Sequence, residues 1–384
     1  MADAATYGII STNGNRRLFE TFGKMVEIDS PSFGERGFCD YLKTALAGLG
    51  ITCEEDGAGE IIGGDSGNLY AYVNGALTGN SILLSAHMDT VEPSIGKTAV
   101  VRENKIFSNG MTVLGADDVS GVTIILETLT RLKETNTPHR NIELLFTVAE
   151  EKHCAGSAVV DYSGIKSKEA YTLDLCGEIG EAANAAPTIF TFTVEITGKA
   201  AHAGFAPETG IHAIQVAANA LVKLPSGSPE SGLTFNTGTI SGGLMTNIVP
   251  DNCVVTGEIR SLEHGAVLRY WESVKSVFEA EAKALGADLD FTTKTEITAY
   301  KIPETSAVAA AFKRACEKEG IKPDIHTTLG GSDNNNYALH GIEGLVIACS
   351  MHDVHSNREY AVLSELEQGI HLLTAILTNT DSGQ

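Results

Sequence analysis

The sequence has 384 residues, of which 43% are hydrophobic and 20% charged, so the chain is long enough for two domains and too apolar to be disordered. Its 49 acidic and 27 basic residues give a formal net charge of -22, which repels nucleic-acid phosphates and anionic membrane surfaces. These features exclude nucleic-acid-binding and membrane-surface proteins.

The cysteines and the N-terminus indicate the cellular compartment. The seven cysteines are odd in number and widely spread, and no pair has the close spacing of a zinc or redox motif. Residues 1–5 (MADAA) lack the basic and apolar segments of a secretory signal, and no stretch is long and apolar enough to span a membrane. We therefore expect free thiols in a cytoplasmic protein.

The first part of the chain predicts helices followed by buried strands. Helical periodicity at residues 17–25 and 37–49 predicts two N-terminal helices. An amphipathic stretch at residues 119–133, opened by Asp117 and Asp118, predicts a crossover helix. Short apolar runs typical of strands buried on both faces of a parallel sheet lie at residues 81–86 (SILLSA), 142–148 (IELLFTV), 170–175 (AYTLDL) and 344–350 (GLVIACS). This pattern predicts an α/β fold with a doubly wound, mostly parallel sheet.

The middle third of the chain has a different pattern. Its strand-helix-strand-strand-helix-strand order is typical of a small ferredoxin-like α+β domain. These runs lie at residues 188–197, 210–223, 233–240, 253–259, 262–285 and 288–298. We therefore predict a catalytic domain in two parts, residues 1–185 and 301–384, with an inserted lid domain at residues 186–300.

Imidazoles and carboxylates gather at the ends of the predicted sheet strands, where open α/β sheets bind their ligands. Such a set without cysteine suits Zn²⁺, Co²⁺ or Mn²⁺ in a catalytic site better than a structural zinc. A bridging carboxylate can hold two such ions about 3.5 to 4 Å apart. The residues are His87 and Asp89 after the first strand, Glu150 and Glu151 after the second, Asp174 in the third, His352 and His355 after the fourth, and Asp117 before the crossover helix.

Six segments resemble, in order, the motifs of the co-catalytic zinc metallopeptidase family, which includes peptidase T, carboxypeptidase G, succinyl-diaminopimelate desuccinylase and aminoacylase. The resemblance covers nearly the whole chain, and LGADD followed by TVAEE is most similar to the peptidase T branch. It implies an exopeptidase of the aminotripeptidase type that acts on small peptides. The segments are SAHMDTV (85–91), LGADD (114–118), TVAEE (147–151), YTLD (171–174), AAHAG (200–204) and HSNREY (355–360).

The resemblance implies a metal centre with two Zn²⁺ ions. It implies that His87, Asp117 and Asp174 hold one ion, and that Asp117, Glu151 and His355 hold the other. Asp117 would then be the bridging ligand. Before the resemblance is considered, His352 fits the second site as well as His355, and only the HSxxE pattern favours His355.

The resemblance also implies roles for residues beside the metals. Glu150 matches the general base, which takes a proton from the attacking water and delivers it to the leaving amine. Adjacent strand residues point to opposite faces, so Glu150 and Glu151 can share the site only if the strand ends and the backbone turns. Asp89 matches the carboxylate that orients the imidazole of His87. The family also has a cis peptide after its bridging residue, here between Asp117 and Asp118.

Residues of the inserted domain resemble substrate-binding groups of the family. His202 matches the histidine that stabilises the oxyanion, which often comes from the neighbouring subunit and so implies a homodimer through the inserted domain. Asn247 and Arg260 resemble residues that bind a substrate carboxylate, a task that suits a bidentate guanidinium. Both also fit ordinary turn and strand-end positions. A glycine-rich turn that resembles a substrate-contacting loop contains Gly330, Gly331 and Ser332.

Other functions stay open on sequence alone. A carboxypeptidase, or an N-acyl or N-succinyl amino acid amidohydrolase, would use the same metals with different substrate contacts. A catalytically silent metal-binding domain is the alternative from another class. The presence of Glu150 argues against that last reading, because a structural metal site has no use for an additional base.

Overall fold

The computed structural model describes residues 13–379, so the predicted absence of a signal segment at residues 1–5 lies outside the described residues. Its helices are α1 (Asn13–Val26), α2 (Arg36–Gly48), α3 (Ala58–Ile62), α4 (Ala116–Thr135), α5 (Ala213–Lys223), α6 (His264–Leu285), α7 (Ala307–Lys318), α8 (Asn334–Leu339) and α9 (Leu363–Leu377). Its strands are β1 (Cys53–Glu55), β2 (Leu69–Val73), β3 (Ile82–His87), β4 (Val100–Arg102), β5 (Lys105–Phe107), β6 (Ile142–Thr147), β7 (Glu169–Leu175), β8 (Glu181–Ala186), β9 (Thr188–Thr197), β10 (Gly227–Glu230), β11 (Leu233–Gly242), β12 (Asn252–Ser261), β13 (Asp288–Ile297), β14 (Tyr300–Lys301), β15 (Asp324–Thr327), β16 (Glu343–Ala348) and β17 (Tyr360–Val362).

The four apolar runs form the centre of the main sheet, as predicted. The strand order is β1-β2-β6-β3-β7-β16-β8-β14, and β15 also pairs with β8. Strand β3 pairs in parallel with β6 and β7, and β7 pairs in parallel with β16. On either side of this parallel core, β2 is antiparallel to β6 and β8 is antiparallel to β16. Every residue of β3 and β6 is buried, which explains why these strands read as continuous apolar runs.

Helices cover both faces of this sheet, as a doubly wound fold requires. Ala170 of β7 belongs to an apolar cluster with Tyr337 of α8. The next residue, Tyr171, points the other way, and its hydroxyl donates a hydrogen bond of 2.9 Å to the carbonyl of Val308 in α7. Helix α4 packs against β3 and β7 and is itself contacted by α1 and α9.

The crossover helix α4 begins with a kink at its acidic pair. Asp117 and Asp118 have non-helical backbone angles, so the regular helix starts after them. The carboxylate of Asp118 accepts a hydrogen bond of 3.0 Å from the backbone N–H of Gly121, which is the interaction of an N-cap residue. The Asp117–Asp118 peptide bond is cis, as the resemblance implied.

The chain divides into two compact units. The first comprises Met1–Asn184, Ile302–Thr328 and Ser332–Gln384, and the second Ala185–Lys301 with Leu329–Gly331. The second unit has the predicted ferredoxin-like arrangement, an antiparallel sheet in the order β10-β11-β12-β9-β13 with α5 and α6 packed against it. The assignment of residues 1–185 and 301–384 to a catalytic domain and of residues 186–300 to an inserted lid domain stays a prediction.

Smaller features complete the fold. A three-stranded sheet of β4, β5 and β17, which we did not predict, lies in the first unit. All seven cysteines are free, as expected. Among the described helices, none combines the length and apolarity needed to cross a membrane.

Candidate metal centre

The predicted ligands come from chain segments that end at one edge of the main sheet. His87 is the last residue of β3, and Asp174 lies near the end of β7. Asp117 is placed by the kinked start of α4. His355 lies in the connection between β16 and β17, where its φ of 59° is in the left-handed region. The structure therefore brings these remote segments together, with Glu151 from the turn after β6.

Asp117 lies between the two histidines. Its Oδ1 is 2.9 Å from Nε2 of His87, and its Oδ2 is 3.2 Å from Nε2 of His355. Nε2 of His87 is also 3.8 Å from Oδ1 of Asp174, and Nε2 of His355 is 3.0 Å from Oε1 of Glu151. One carboxylate thus faces both imidazoles, each of which has a further carboxylate beside it.

The structure separates the two candidate histidines of the last motif. Nε2 of His352 is 2.6 Å from Oε2 of Glu365, at the start of α9, and its ring stacks on Tyr360. His355 is the residue that contacts Asp117. Geometry therefore favours His355 as the ligand.

Asp89 holds several parts of the site in place from a fully buried position. Its backbone carbonyl is 2.9 Å from Nδ1 of His87, which directs Nε2 of that ring towards Asp117. Its two carboxylate oxygens accept hydrogen bonds from the backbone N–H groups of Glu150 and Glu151, at 2.9 and 3.2 Å. The His87 ring is thus faced by the backbone carbonyl of Asp89, with Oδ1 of the predicted carboxylate 3.3 Å from the same Nδ1. The carboxylate of Asp89 also fixes the turn that carries both glutamates.

The turn after β6 satisfies the geometric requirement for two adjacent glutamates in one site. Strand β6 ends at Thr147, and Ala149 has a φ of 50°, so the backbone leaves the extended conformation before Glu150. As a result, a ligand atom of Glu150 and one of Glu151 both lie within 4.8 Å of a ring nitrogen of His87.

The charges of the cluster shift the pKa values of its members. Hydrogen bonds to Asp117 and Glu151 raise the pKa of His355 to about 10. Burial of His87 disfavours its cation, but hydrogen bonds to Asp117 and Asp89 outweigh this and raise its pKa above the usual range. Burial raises the pKa of Glu151. The cluster therefore stabilises positive charge and disfavours additional negative charge.

The donor set fits divalent cations. Buried carboxylates at this density need compensating positive charge, and imidazoles with carboxylates are the ligands that catalytic zinc prefers. In the part of the chain that the structure describes, three groups have ligand atoms within 4.8 Å of one another. They are His87, Asp117 and Asp174; Asp117, Glu151 and His355; and His87, Glu150 and Glu151. The first two share Asp117 and match the two sets implied by the resemblance, whereas the third also places Glu150 within coordination range.

Sequence reasoning missed Glu359, which holds the backbone of the segment that carries Asp117. Its Oε2 accepts hydrogen bonds from the backbone N–H groups of Leu114 and Gly115, at 2.7 and 2.8 Å. Its Oε1 accepts one of 3.0 Å from the N–H of Asp117. The available signal was its place in the HSNREY motif, four residues after His355.

Glu35 is a second residue that the sequence did not reveal. It is fully buried, and its Oε1 accepts hydrogen bonds of 2.9 Å from the backbone N–H groups of both Phe33 and Ala149. Glu35 therefore ties the loop before α2 to the turn that carries the paired glutamates. Burial, and then the charge of Asp89, raise the pKa of Glu35 to about 7.

We expect Glu35→Gln to stabilise the metal-free protein at alkaline pH. Because the pKa of Glu35 is higher in the folded protein than its ordinary value of 4.5, the free energy of unfolding falls as the pH rises from about 4.5 to about 7. Glutamine keeps an acceptor oxygen but cannot ionise, so the free energy of unfolding should increase by about 1 to 3 kcal/mol at pH 8 and change little at pH 4.5. Urea unfolding at both pH values measures the change in the free energy of unfolding, with exposed Glu60→Gln as the control. Equal destabilisation of Glu35→Gln at both pH values would contradict the prediction.

The residues predicted to bind substrate occupy well-defined places. In the second unit, Nδ1 of His202 accepts hydrogen bonds from the backbone N–H groups of Gly204 and Phe205, at 3.1 and 3.2 Å, so its Nε2 carries the ring proton when neutral. The backbone carbonyl of Asn247 accepts a hydrogen bond of 3.0 Å from the N–H of Ala203, so His202 and Asn247 lie on neighbouring segments.

Arg260 and the glycine-rich turn show local contacts that the sequence did not predict. The guanidinium of Arg260 forms a bidentate pair with the carboxylate of Glu258, at 2.9 and 3.1 Å, and its Nη1 donates to the carbonyl of Leu329. A Cβ on Gly331 would lie 2.1 Å from the terminal methyl group of Ile297, so a larger residue there would have to displace that side chain. Gly330 lies beside it in the second unit, whereas Ser332 is buried and belongs to the first.

Comparison with known proteins supports the same family. The model of Peptidase family M20/M25/M40 matches residues 83–379. The uncharacterized protein YqjE of Bacillus subtilis (strain 168) is 34% identical over 362 residues, covering 94% of this chain and 98% of that protein. The structure of aminopeptidase PepT from Bacillus cereus ATCC 10987 is 36% identical with a TM-score of 0.88, covering 95% of this chain and 98% of that one. The structure of a tripeptidase from Staphylococcus aureus subsp. aureus Mu50 is 29% identical with a TM-score of 0.92 and the same coverage.

Proposed function

The chain belongs to Peptidase family M20/M25/M40, and on this basis we propose that it is a metal-dependent exopeptidase of the peptidase T type, which removes the N-terminal residue from tripeptides. The observation that carries the proposal is one carboxylate, Asp117, placed between His87 and His355 with a further carboxylate beside each ring. The similarity to an aminopeptidase and a tripeptidase over almost the whole chain supports this reaction among those open to the fold.

We propose two Zn²⁺ ions as the native cofactors, in the two groups that share Asp117. When bound, two such ions lower the pKa of a water molecule and polarise the carbonyl of the scissile amide. The contribution of Asp89 is to fix the tautomer and direction of the His87 ring. Glu359 holds the backbone of the segment that presents Asp117.

Glu150 is the proposed general base. Its carboxylate would take a proton from the attacking water and return it to the nitrogen of the departing amine. Burial raises the pKa of Glu150 well above its usual range, although the charge of His87 opposes this shift. A carboxyl group with a raised pKa holds the transferred proton more readily, which suits a group that must accept the proton and later release it to an amine.

We propose that the inserted unit supplies groups that recognise the substrate. His202 would donate a hydrogen bond from Nε2 to the developing oxyanion, a role supported by the two backbone donors on its Nδ1. Asn247 and Arg260 would bind the peptide carboxylate. Because Arg260 already pairs with Glu258, the substrate carboxylate would have to share or replace that partner. The turn of Gly330, Gly331 and Ser332 is proposed to contact the substrate backbone.

A homodimer formed through the inserted unit and a cytoplasmic location complete the proposal. Phe205, Leu244 and Met245 of this unit are large apolar side chains with 87%, 80% and 64% of their surface exposed, which supports a protein interface there. The seven free thiols are typical of a reducing compartment. Light scattering of the purified protein measures the oligomeric state, and a monomer at all concentrations would contradict the dimer.

A panel of free and N-terminally blocked peptides, together with acyl amino acids, tests the proposed reaction. We expect hydrolysis of a free tripeptide with release of its N-terminal residue, loss of activity with a chelator and recovery with Zn²⁺. The same tripeptide with an acetylated N-terminus should not be cleaved. Release of the C-terminal residue would instead indicate a carboxypeptidase, and cleavage of acyl or succinyl amino acids alone an amidohydrolase. A protein that binds metal but cleaves none of these substrates would be catalytically silent.

Zinc loading should release protons at neutral pH. His355, with a pKa of about 10, is protonated in the metal-free protein at pH 7 and must lose its proton to bind a cation. The apparent affinity for Zn²⁺ should therefore increase as the pH rises from 6 towards about 9. Titration calorimetry in buffers with different ionisation enthalpies measures the released protons. An enthalpy independent of the buffer would show that the ligands are already deprotonated.

A further inference from the structure

A buried thiol contacts the carboxylate of Glu150. Sγ of Cys154 lies 3.3 Å from Oε1 of Glu150, and Cys154 is 1% exposed. Among residues 13–379, Cys154 is the one residue whose side chain donates a hydrogen bond to this carboxylate. Burial raises the pKa of the Cys154 thiol well above its usual range, so the sulfur keeps its proton and acts as the donor.

The backbone holds this thiol where it is. The N–H of Cys154 donates a hydrogen bond of 2.7 Å to the carbonyl of Glu150, closing a turn in which His153 and Cys154 have φ values of 60° and 57°. This left-handed pair brings the side chain of Cys154 back to the glutamate four residues earlier. A thiol at this position is therefore directed at Glu150 by the conformation of the turn.

A buried polar network fixes the other side of the turn. Nδ2 of Asn336, in α8, donates hydrogen bonds to the carbonyl of Cys154 at 3.3 Å and to Oγ of Ser157 at 2.8 Å. Ser157 in turn donates to the carboxylate of Asp333, which also accepts a hydrogen bond from Thr147 at the end of β6. Asp333 and Asn336 are buried. The backbone that carries the thiol is thus hydrogen-bonded to a buried polar network.

We propose that Cys154 is a positioning residue, whose S–H group holds the Glu150 carboxylate in the orientation needed for proton transfer. The inference depends on the proposed function, because it gives Glu150 the role of the base. A general base acts efficiently only when its oxygen is held within hydrogen-bond reach of the proton that it accepts. Cys154 itself does not touch the substrate and exchanges no proton with it.

The kinetic test compares three variants of the zinc-loaded, full-length protein. Cys154→Ala removes the donor and should lower kcat by roughly 10-fold, with KM and zinc content unchanged. Cys154→Ser retains a hydroxyl donor and should restore most of kcat. Cys316→Ala removes a buried thiol of α7 and should behave as the unaltered protein. An unchanged kcat in Cys154→Ala, or equal losses in the alanine and serine variants, would overturn the proposal.

An infrared measurement tests the contact without using activity. The difference spectrum between the unaltered protein and Cys154→Ser isolates the S–H stretching band of Cys154. In the zinc-loaded protein, whose cations favour the ionised form of Glu150, we expect a band lowered in frequency by the carboxylate acceptor. In Glu150→Gln this band should shift towards the position of a weakly bonded thiol. A band that Glu150→Gln leaves in place would overturn the proposal, even if Cys154→Ala did not fold. If the unaltered protein cleaved no peptide while this band shifted as expected, the proposed function would fail and the hydrogen bond would stand.

Discussion

Asp117→Ala is expected to remove both metal ions and abolish peptide hydrolysis. Asp117 faces the two imidazoles at 2.9 and 3.2 Å, so its removal takes one ligand from each metal group at once. It also removes the carboxylate that lies between the two imidazoles. Since loss of a residue that merely supports a ligand reduces metal affinity by about 10- to 100-fold, loss of the bridge should exceed about 100-fold. Metal analysis after gel filtration and zinc titration calorimetry measure this effect.

Two matched variants separate loss of the bridge from loss of the fold. Asp117→Asn preserves the size of the side chain but removes its charge, and should weaken zinc binding while keeping the hydrogen bond from the backbone N–H to Glu359. Asp324→Ala removes an exposed aspartate of β15 and should leave the zinc content unchanged. Two equivalents of zinc in folded Asp117→Ala would show that the ions lie elsewhere.

Glu150→Gln is expected to bind zinc normally but to lose most turnover. Glutamine keeps the size of Glu150 and one acceptor oxygen, but it cannot take the proton from water. Removal of a general base typically lowers the rate by about 10²- to 10⁴-fold, and we expect kcat to fall by this amount with little change in KM. Steady-state hydrolysis of a tripeptide, together with metal analysis of the same sample, measures both quantities.

The metal content of this variant distinguishes the two roles that the geometry allows for Glu150. Glu150 lies within 4.8 Å of His87 and Glu151 in the third group of ligand atoms, so it could act as a ligand. In that case Glu150→Gln would lose zinc together with activity. Full zinc content with wild-type kcat would instead remove Glu150 from the mechanism. Exposed Glu60→Gln is the control and should change neither quantity.

The two central variants therefore give different combinations of metal binding and activity. Asp117→Ala should lose both properties, and Glu150→Gln only the second. A catalytically silent metal-binding protein would lose zinc in the first variant but would show no activity in the unaltered chain. The pair thus tests the peptidase proposal at the level of individual side chains.

Local sequence was enough to predict the secondary structure that builds the site. The strands β3, β6, β7 and β16 are buried on both faces and so appear as continuous apolar runs, while the alternating pattern of β9 identifies a half-buried strand of the inserted unit. Because parallel strands present their carboxyl ends at one edge, the sequence alone groups the residues that follow these runs.

Only the tertiary structure decided which contacts these residues make. Glu359 accepts a hydrogen bond from the backbone N–H of Asp117, and Glu35 accepts one from the turn that carries the two glutamates. The thiol of Cys154 contacts the carboxylate of Glu150 from four residues further along the same turn. The pairing of Arg260 with Glu258 is likewise a matter of side-chain conformation. Residue type and hydrophobic period determine which face of an element is buried, but they carry no information about partners that long-range packing and left-handed turns bring into reach. The sequence by itself therefore determined the elements and the chemical groups of the site, and the folded chain determined how each group is held.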